Sequence, residues 1–245
     1  MEFTYKRYAD LINLLKSKGY YFCNYLNCDE YKKAVIFRHD IDTSLEKALE
    51  IAKLEYKYAI KSTYFVLLST NFYNVFSKES DLILKKIIDL GHDIGLHFDE
   101  KRYYISNENE LEYWVNREKH ILELALNKEV KVVSMHRPSK WILENDIQFQ
   151  ELINTYSKKF FSNFKYLSDS RMHWREDVIE IIETEIYDKL HILTHPFWYS
   201  NEDESIKQKI EQFINNAKKD RYIYLKDNIR DIDQIVDEGE LLDEN

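Results

Sequence analysis

Cysteine, glycine and proline are scarce in this chain, with two, four and two residues among 245. Cys23 and Cys28 lack the second pair that would complete a zinc knuckle, so we expect free, structural thiols. Neither common pattern of glycine-rich phosphate loop occurs, which argues against nucleotide binding through such a loop. The formal charge is −9 and no basic patch stands out, which argues against a nucleic-acid partner.

Long apolar runs are also absent, so the sequence predicts no transmembrane segment. The first residues, Met1–Arg7, contain no apolar signal core, and we therefore expect a cytoplasmic protein. The chain does have a 44% share of hydrophobic residues, which is enough for a substantial core. Its end, Asp231–Asn245, is strongly acidic.

Short aliphatic or β-branched segments alternate with helical patterns about seven times, without an obvious linker or internal repeat. This alternation predicts an α/β fold with a parallel sheet and helices outside it. A barrel and a doubly wound open sheet both remain compatible with the pattern. Among the less regular segments, we expect a helix over Asp146–Tyr156 and a short strand at Phe160 and Phe161.

Four polar clusters follow predicted strands and hold five of the eight histidines and both prolines. They are Arg38–Asp42, Gly91–Asp99, Ser134–Pro138 and Leu193–Pro196. Because the carboxyl ends of parallel strands meet at one edge of a sheet, we expect these clusters to converge in one pocket. Histidine and carboxylate are ligand types for zinc or another divalent transition metal. The sequence therefore predicts an enzyme site that could hold such a metal.

The Asp pair in the first cluster has the spacing of a shared site. In an extended segment, the side chains of Asp40 and Asp42 point to the same side. Two carboxylates that lie so close raise the pKa of one of them unless a nearby cation balances the charge. A metal resolves the conflict if one carboxylate ligates it and the other remains a base. The alternative is that Asp42 only begins a turn and caps the following helix.

The other clusters offer further ligands and a cation. His97 and Asp99 lie two residues apart at the end of another predicted strand, and His136 stands at the end of a third. Arg137 could hold the free carboxylate or bind a substrate oxygen. His195 again follows a predicted strand, and Phe197, Trp198 and Tyr199 after it add an apolar wall.

These clusters resemble the motifs of the polysaccharide deacetylases, carbohydrate esterase family 4, over about Val35–Tyr199. The Asp pair of the first motif is split here by Ile41, a variant associated with bacterial surface-polysaccharide synthesis. Gly91–Gly95, followed by His97, resembles the lead-in to the second motif and is the most specific match. The resemblance implies a distorted (β/α)7-type barrel in a single domain, residues 1–245, with motifs over about 34–200 and terminal extensions at 1–33 and 220–245.

The resemblance also implies a ligand set, and the sequence departs from it at one position. Asp42 and His97 would bind the metal, but the second histidine that is expected four residues after His97 is Lys101 here. His136 and Asp99 are the candidates to replace it. We prefer His136, because it lies at another strand end and histidine is the better zinc ligand at neutral pH.

The remaining motifs imply catalytic and substrate-binding roles. Asp40 would be the base and His195 the general acid, while Arg137 and Asp169 would position these groups. Trp174 and Trp198 would form walls of the substrate site.

The implied reaction is hydrolysis of an N-acetyl or other N-acyl group on an amino sugar, assisted by a divalent metal that we expect to be zinc. The implied substrate is an amino sugar or a nucleotide- or lipid-linked saccharide in surface-polysaccharide biosynthesis. Two alternatives stay open. Lys101 suggests a degenerate, non-catalytic barrel that binds a sugar or a protein partner, and the same site chemistry would suit an amidohydrolase for a small non-sugar amide.

Overall fold

The computed structural model describes residues 1–236 and Gly239, and the chain divides into two compact units, Met1–Asn201 and Glu202–Asn245. The strands of the first unit are β1 Tyr21–Cys23, β2 Ala34–Ile41, β3 Thr63–Leu67, β4 Asp93–Phe98, β5 Val132–Met135, β6 Ile153–Asn154, β7 Lys165–Ser168 and β8 Lys189–Thr194. Its α-helices are α1 Tyr5–Ser17, α2 Leu45–Lys57, α3 Lys78–Asp89, α4 Glu108–Leu126, α5 Lys140–Glu144, α6 Lys158–Phe161 and α7 Val178–Thr184.

The described residues of the second unit form α8 Ile206–Asn228 and α9 Ile232–Ile235. The predicted acidic end of the chain, and with it the end of the expected extension 220–245, lies largely outside the described residues. Within the part of the chain that is described, no helix combines the length and hydropathy needed to cross a membrane.

All strand pairs of the sheet are parallel, in the order β6-β5-β4-β3-β2-β8-β7, and β1 pairs with the first half of β2. In a flat sheet β2 and β5 would lie three strand spacings, about 14 Å, apart. Arg38 on β2 nevertheless contacts Ser134 on β5 and Thr155 just after β6. The sheet must therefore curl around this side chain, which confirms the predicted distorted α/β barrel rather than a doubly wound open sheet.

Two predicted elements are wrong. The segment Asp146–Tyr156 is irregular except for β6, which adds to the edge of the sheet beside β5. Asp146 accepts hydrogen bonds from Gln148 and from the Lys158 backbone, and the apolar side chains of the segment are buried without helical backbone. Phe160 and Phe161 belong to helix α6, where Phe160 packs edge-on against Tyr25 inside the barrel.

Alternate residues of β2 face two different sides, the inside of the barrel and the core between the sheet and the helices. Ala34 and Ile36 pack in the cluster inside the barrel, whereas Val35 and Phe37 pack in the larger core formed with the helices. The same period of two sends Arg38 and Asp40 inward and His39 outward. All eight residues of β2 are buried, so both faces of the strand are fully committed.

The outer core contains a buried carboxylate, Glu55 in α2, that gathers four donors. It accepts hydrogen bonds from Tyr8 Oη (2.6 Å), His39 Nε2 (2.9 Å), Ser62 Oγ (2.7 Å) and Tyr64 Oη (2.6 Å). Burial acts to raise the pKa of Glu55, but His39 and the other donors outweigh it and lower this pKa to about 2. The network joins α1, α2, β2 and β3 through one charge.

Replacing Glu55 by glutamine is expected to lower the free energy of unfolding by about 3 kcal/mol at pH 7, because the buried donors lose their charged acceptor. The pKa of Glu55 is depressed in the folded state. Its contribution is therefore complete above the unfolded value, near 4.5, and is lost as the pH falls toward 2. Urea unfolding at pH 7 and pH 3 should show a smaller difference between wild type and variant at pH 3.

A matched control lies on the same helix. Glu50 is half-exposed and pairs with Lys53 at the surface, so Glu50→Gln should change the free energy of unfolding by less than about 0.5 kcal/mol. Wild-type stability of Glu55→Gln at pH 7 would contradict the stabilising role of the buried charge.

Candidate active site

A pocket of about 310 Å³ opens at the carboxyl ends of the strands, and all four polar clusters contribute to its lining. The ionisable lining residues are Asp40, Asp42, Asp99, His136, Arg137 and His195. The large apolar ones are Ile41, Leu67, Phe72, Phe197 and Trp198. The expected convergence of the clusters is therefore what the parallel sheet produces.

Asp42, His97 and His136 bring three potential ligand atoms together. Asp42 Oδ1 lies 3.2 Å from His97 Nε2 and 3.4 Å from His136 Nδ1, and the two imidazole nitrogens are 3.2 Å apart. In a tetrahedral zinc site with bonds of 2.0–2.1 Å, two ligand atoms are about 3.3 Å apart. The three atoms thus have the spacing of one face of such a tetrahedron, and the donor set fits a divalent metal.

The surroundings orient these donors toward one point. His97 Nδ1 lies 3.3 Å from the Ser134 carbonyl, which assigns the proton to Nδ1 and leaves the Nε2 lone pair facing the triad. The His136 backbone N–H donates to the Phe98 carbonyl at 2.7 Å, which fixes the end of β5 beside the end of β4. Burial acts to raise the pKa of Asp42, but the imidazoles of His136 and His97 beside it hold it well below its usual range.

Lys101, at the position where the family resemblance implies a ligand, lies in a short 3-10 turn, Glu100–Arg102, and Asp99, the alternative candidate ligand, directly precedes this turn. The Asp99 carboxylate accepts the Lys101 backbone N–H at 3.0 Å and so caps this turn. His136, and not Asp99, accompanies Asp42 and His97 in the triad.

Asp40 lies beside the triad and is held by a different partner. Arg38 Nη2 donates to Asp40 Oδ2 at 2.7 Å, and Nη1 donates to Thr155 Oγ1 at 2.8 Å. Arg38 is fully buried, between the rings of Phe65 and Tyr156. Burial acts to raise the pKa of Asp40, but Arg38 outweighs it and holds this pKa below its usual value. Oδ1 is buried and has no hydrogen-bond partner among the described residues, so it is free to accept a proton.

We expected Arg137 to position the catalytic groups, and for Asp40 the structure corrects this. Arg38 occupies that position, while the Arg137 side chain is exposed at the pocket. The signal for Arg38 was present in the sequence, because residues two apart on a strand share a face. Arg38 stands two residues before Asp40, so this spacing alone predicts that the two side chains can pair.

His195 forms a second ionisable pair with Asp169. His195 Nδ1 lies 2.7 Å from Asp169 Oδ1, and this carboxylate also accepts the His195 backbone N–H and the Tyr199 hydroxyl. Asp169 is completely buried, just past β7. Burial acts to lower the pKa of His195, but the hydrogen bond and charge of Asp169 raise it to about 9. His195 is therefore protonated at neutral pH, and its Nε2 remains available.

The two tryptophans expected to wall the site have different positions. Trp198 lines the pocket with Phe72 and Phe197. Trp174 is only 8% exposed and packs in the hydrophobic core, so it is not part of this pocket's lining.

No protein-family model matches the sequence, and no curated protein matches it significantly. Solved structures that are similar include BA3943 from Bacillus anthracis, a CE4 family pseudoenzyme, at 18% identity and a TM-score of 0.45. The match covers 76% of this chain and 62% of that protein, so this chain spans less than two thirds of its length.

The peptidoglycan deacetylase PdaC from Bacillus subtilis is similar at 14% identity over 80% of this chain and 97% of its own, with a TM-score of 0.46. The Streptococcus pyogenes deacetylase PplD is similar at 14% identity over 78% and 83%, with a TM-score of 0.43. At these identities and scores, the function of this chain has to be argued from its own side-chain geometry.

Alanine at Asp42, His97 or His136 is expected to abolish stoichiometric zinc binding, because each residue supplies one of three converging donors. Equilibrium dialysis with elemental analysis measures the zinc content, and circular dichroism checks the fold. Asp99→Asn is the matched control and should keep wild-type zinc content. Stoichiometric zinc in His136→Ala together with loss in Asp99→Asn would transfer the third ligand to Asp99.

Proposed function

We propose that this chain is a divergent member of the CE4 polysaccharide deacetylases that removes an N-acetyl or other N-acyl group from an amino sugar, with zinc as the metal. One observation supports this most directly. Asp40 is ionised, held by Arg38 and left with a free oxygen, beside a set of three metal donors that does not include it. A carboxylate base next to a metal is the arrangement that hydrolysis of an amide needs.

Asp42, His97 and His136 would hold the ion, which when bound would polarise the acyl carbonyl and lower the pKa of an attacking water. Asp40 accepts the proton that this water loses as its oxygen bonds to the acyl carbon. Arg38 keeps the carboxylate of Asp40 in place during the transfer.

His195 acts on the leaving group. It is protonated through Asp169, and its Nε2 donates a proton to the amide nitrogen as the C–N bond breaks, which releases the free amine and the carboxylic acid. Asp169 holds the imidazole by Nδ1, so that the proton-bearing Nε2 remains the donor. Phe72, Phe197 and Trp198 provide an apolar wall against which a sugar ring can pack.

Lys101 does not leave the site short of ligands, because His136 supplies the third donor atom. This supports a catalytic site over a degenerate barrel. The aromatic wall favours a substrate with a sugar ring over a small non-sugar amide. Substrate tests decide between the two.

Asp40→Asn is expected to lower kcat for release of acetate from N-acetylated amino sugars by at least about 100-fold, because asparagine cannot accept the proton. Its zinc content should stay at the wild-type level, because Asp40 is outside the triad. Acetate release from N-acetylated sugars and from simple acetamides, with zinc-loaded protein, measures both points. Full activity of Asp40→Asn, or faster turnover of the simple amides, would contradict the proposal.

Asp169→Asn is expected to move the basic limb of the kcat/KM profile to lower pH. The acid His195 must be protonated, so activity falls as the pH rises through its pKa, and removing the charge of Asp169 lowers that pKa. Asp177→Asn, at an exposed carboxylate that caps α7, is the control and should leave the limb in place. An unchanged basic limb in Asp169→Asn would show that the pairing of His195 with Asp169 does not determine the pKa of the catalytic acid.

A further inference from the structure

Arg137 has a backbone conformation that residues other than glycine adopt only at an energetic cost. Its φ is +49°, in the left-handed region, and the next residue is Pro138, which restricts it further. Backbone strain of this kind persists where the surroundings enforce it, and it concentrates at functional sites. Arg137 directly follows the proposed ligand His136 and lines the pocket.

Both sides of this turn are anchored. Before it, the His136 backbone N–H donates to the Phe98 carbonyl at 2.7 Å. After it, Ser139 donates twice to Glu100, through its backbone N–H and through Oγ, the latter at 2.9 Å. The guanidinium is therefore carried by a fixed backbone, which reduces the entropy lost when it binds a ligand.

The Arg137 guanidinium has no partner within the part of the chain that the structure describes. Among the described residues, Arg137 makes no hydrogen bond or ion pair, and it is the one arginine or lysine of the pocket lining. Asp40 has Arg38, Asp42 faces two histidines, and Asp99 caps its turn. The carboxylates of the pocket are thus already engaged without it.

We propose that Arg137 is an anion-binding subsite at the pocket, and that the substrate carries an oxyanion next to its N-acylated sugar. This rests on the proposed function and narrows it to acidic amino sugars. A phosphate ester, as in a nucleotide- or lipid-linked sugar, and a sugar carboxylate both present the oxygen pair that a guanidinium binds with two hydrogen bonds.

The test is calorimetric titration of the zinc-loaded protein with three sugars: N-acetylglucosamine 1-phosphate, N-acetylglucosaminuronic acid and the neutral methyl glycoside. Wild type should bind at least one charged sugar more tightly than the neutral one. Arg137→Gln should weaken binding of that sugar by about 10-fold to 100-fold, and the neutral sugar clearly less. Arg137→Lys should fall between them, because an ammonium binds as a point charge.

The charged sugar whose binding depends on Arg137 shows whether the oxyanion is a phosphate or a carboxylate. Arg171→Gln, at an exposed arginine with φ of +60° outside the pocket lining, is the matched control and should retain the wild-type preference. Loss of affinity by the same factor for charged and neutral sugars, no loss in Arg137→Gln, or no preference in wild type would each overturn the subsite. An Arg137-dependent preference without hydrolysis of any N-acyl group would instead overturn the proposed function and leave the subsite standing.

Discussion

The ion pair between Arg38 and Asp40 is the interaction on which the site depends. A guanidinium that is fully buried inside the barrel has to be matched by charge and by hydrogen bonds, and Asp40, Thr155 and Ser134 supply them. These partners belong to three parts of the sheet. Arg38 therefore links β2 to β5 and to the end of β6 across the barrel, and at the same time it holds Asp40 ionised beside the three candidate metal ligands.

The period of two along β2 divides the strand between the pocket and the outer core. Its inner face presents Asp40, and the residue just past its end is Asp42. Its outer face presents His39, which binds Glu55 and also lies 2.7 Å from Thr194 Oγ1. Thr194 immediately precedes His195, so the same buried network connects the strand of the proposed base to that of the proposed acid. Hydrogen bonds on the outside of the barrel therefore fix the positions of the proposed base and the proposed acid relative to each other.

The strand–helix alternation was sufficient to predict a parallel α/β sheet and the meeting of the four clusters, because strand ends converge in any such sheet. The choice of a barrel over an open sheet came from the family resemblance. The sequence could not settle contacts that depend on curvature. Arg38 shares a strand face with Asp40, which the spacing predicts, but its hydrogen bonds to Ser134 and Thr155 follow from how far the sheet bends. The burial of Trp174 in the core likewise depends on tertiary packing. The segment Asp146–Tyr156 has apolar residues at spacings that suit a helix. Part of it instead pairs with the edge strand β5 and forms β6.

The proposed chemistry requires Asp42 to bind the metal and Asp40 to remain a base, and an anomalous-difference map from a zinc-soaked crystal tests this division of roles most directly. The result we predict is one peak bonded to Asp42, His97 and His136, with Asp40 still paired to Arg38. A peak bonded to Asp40, or an ion bound elsewhere in the pocket while the triad stays vacant, would contradict the account.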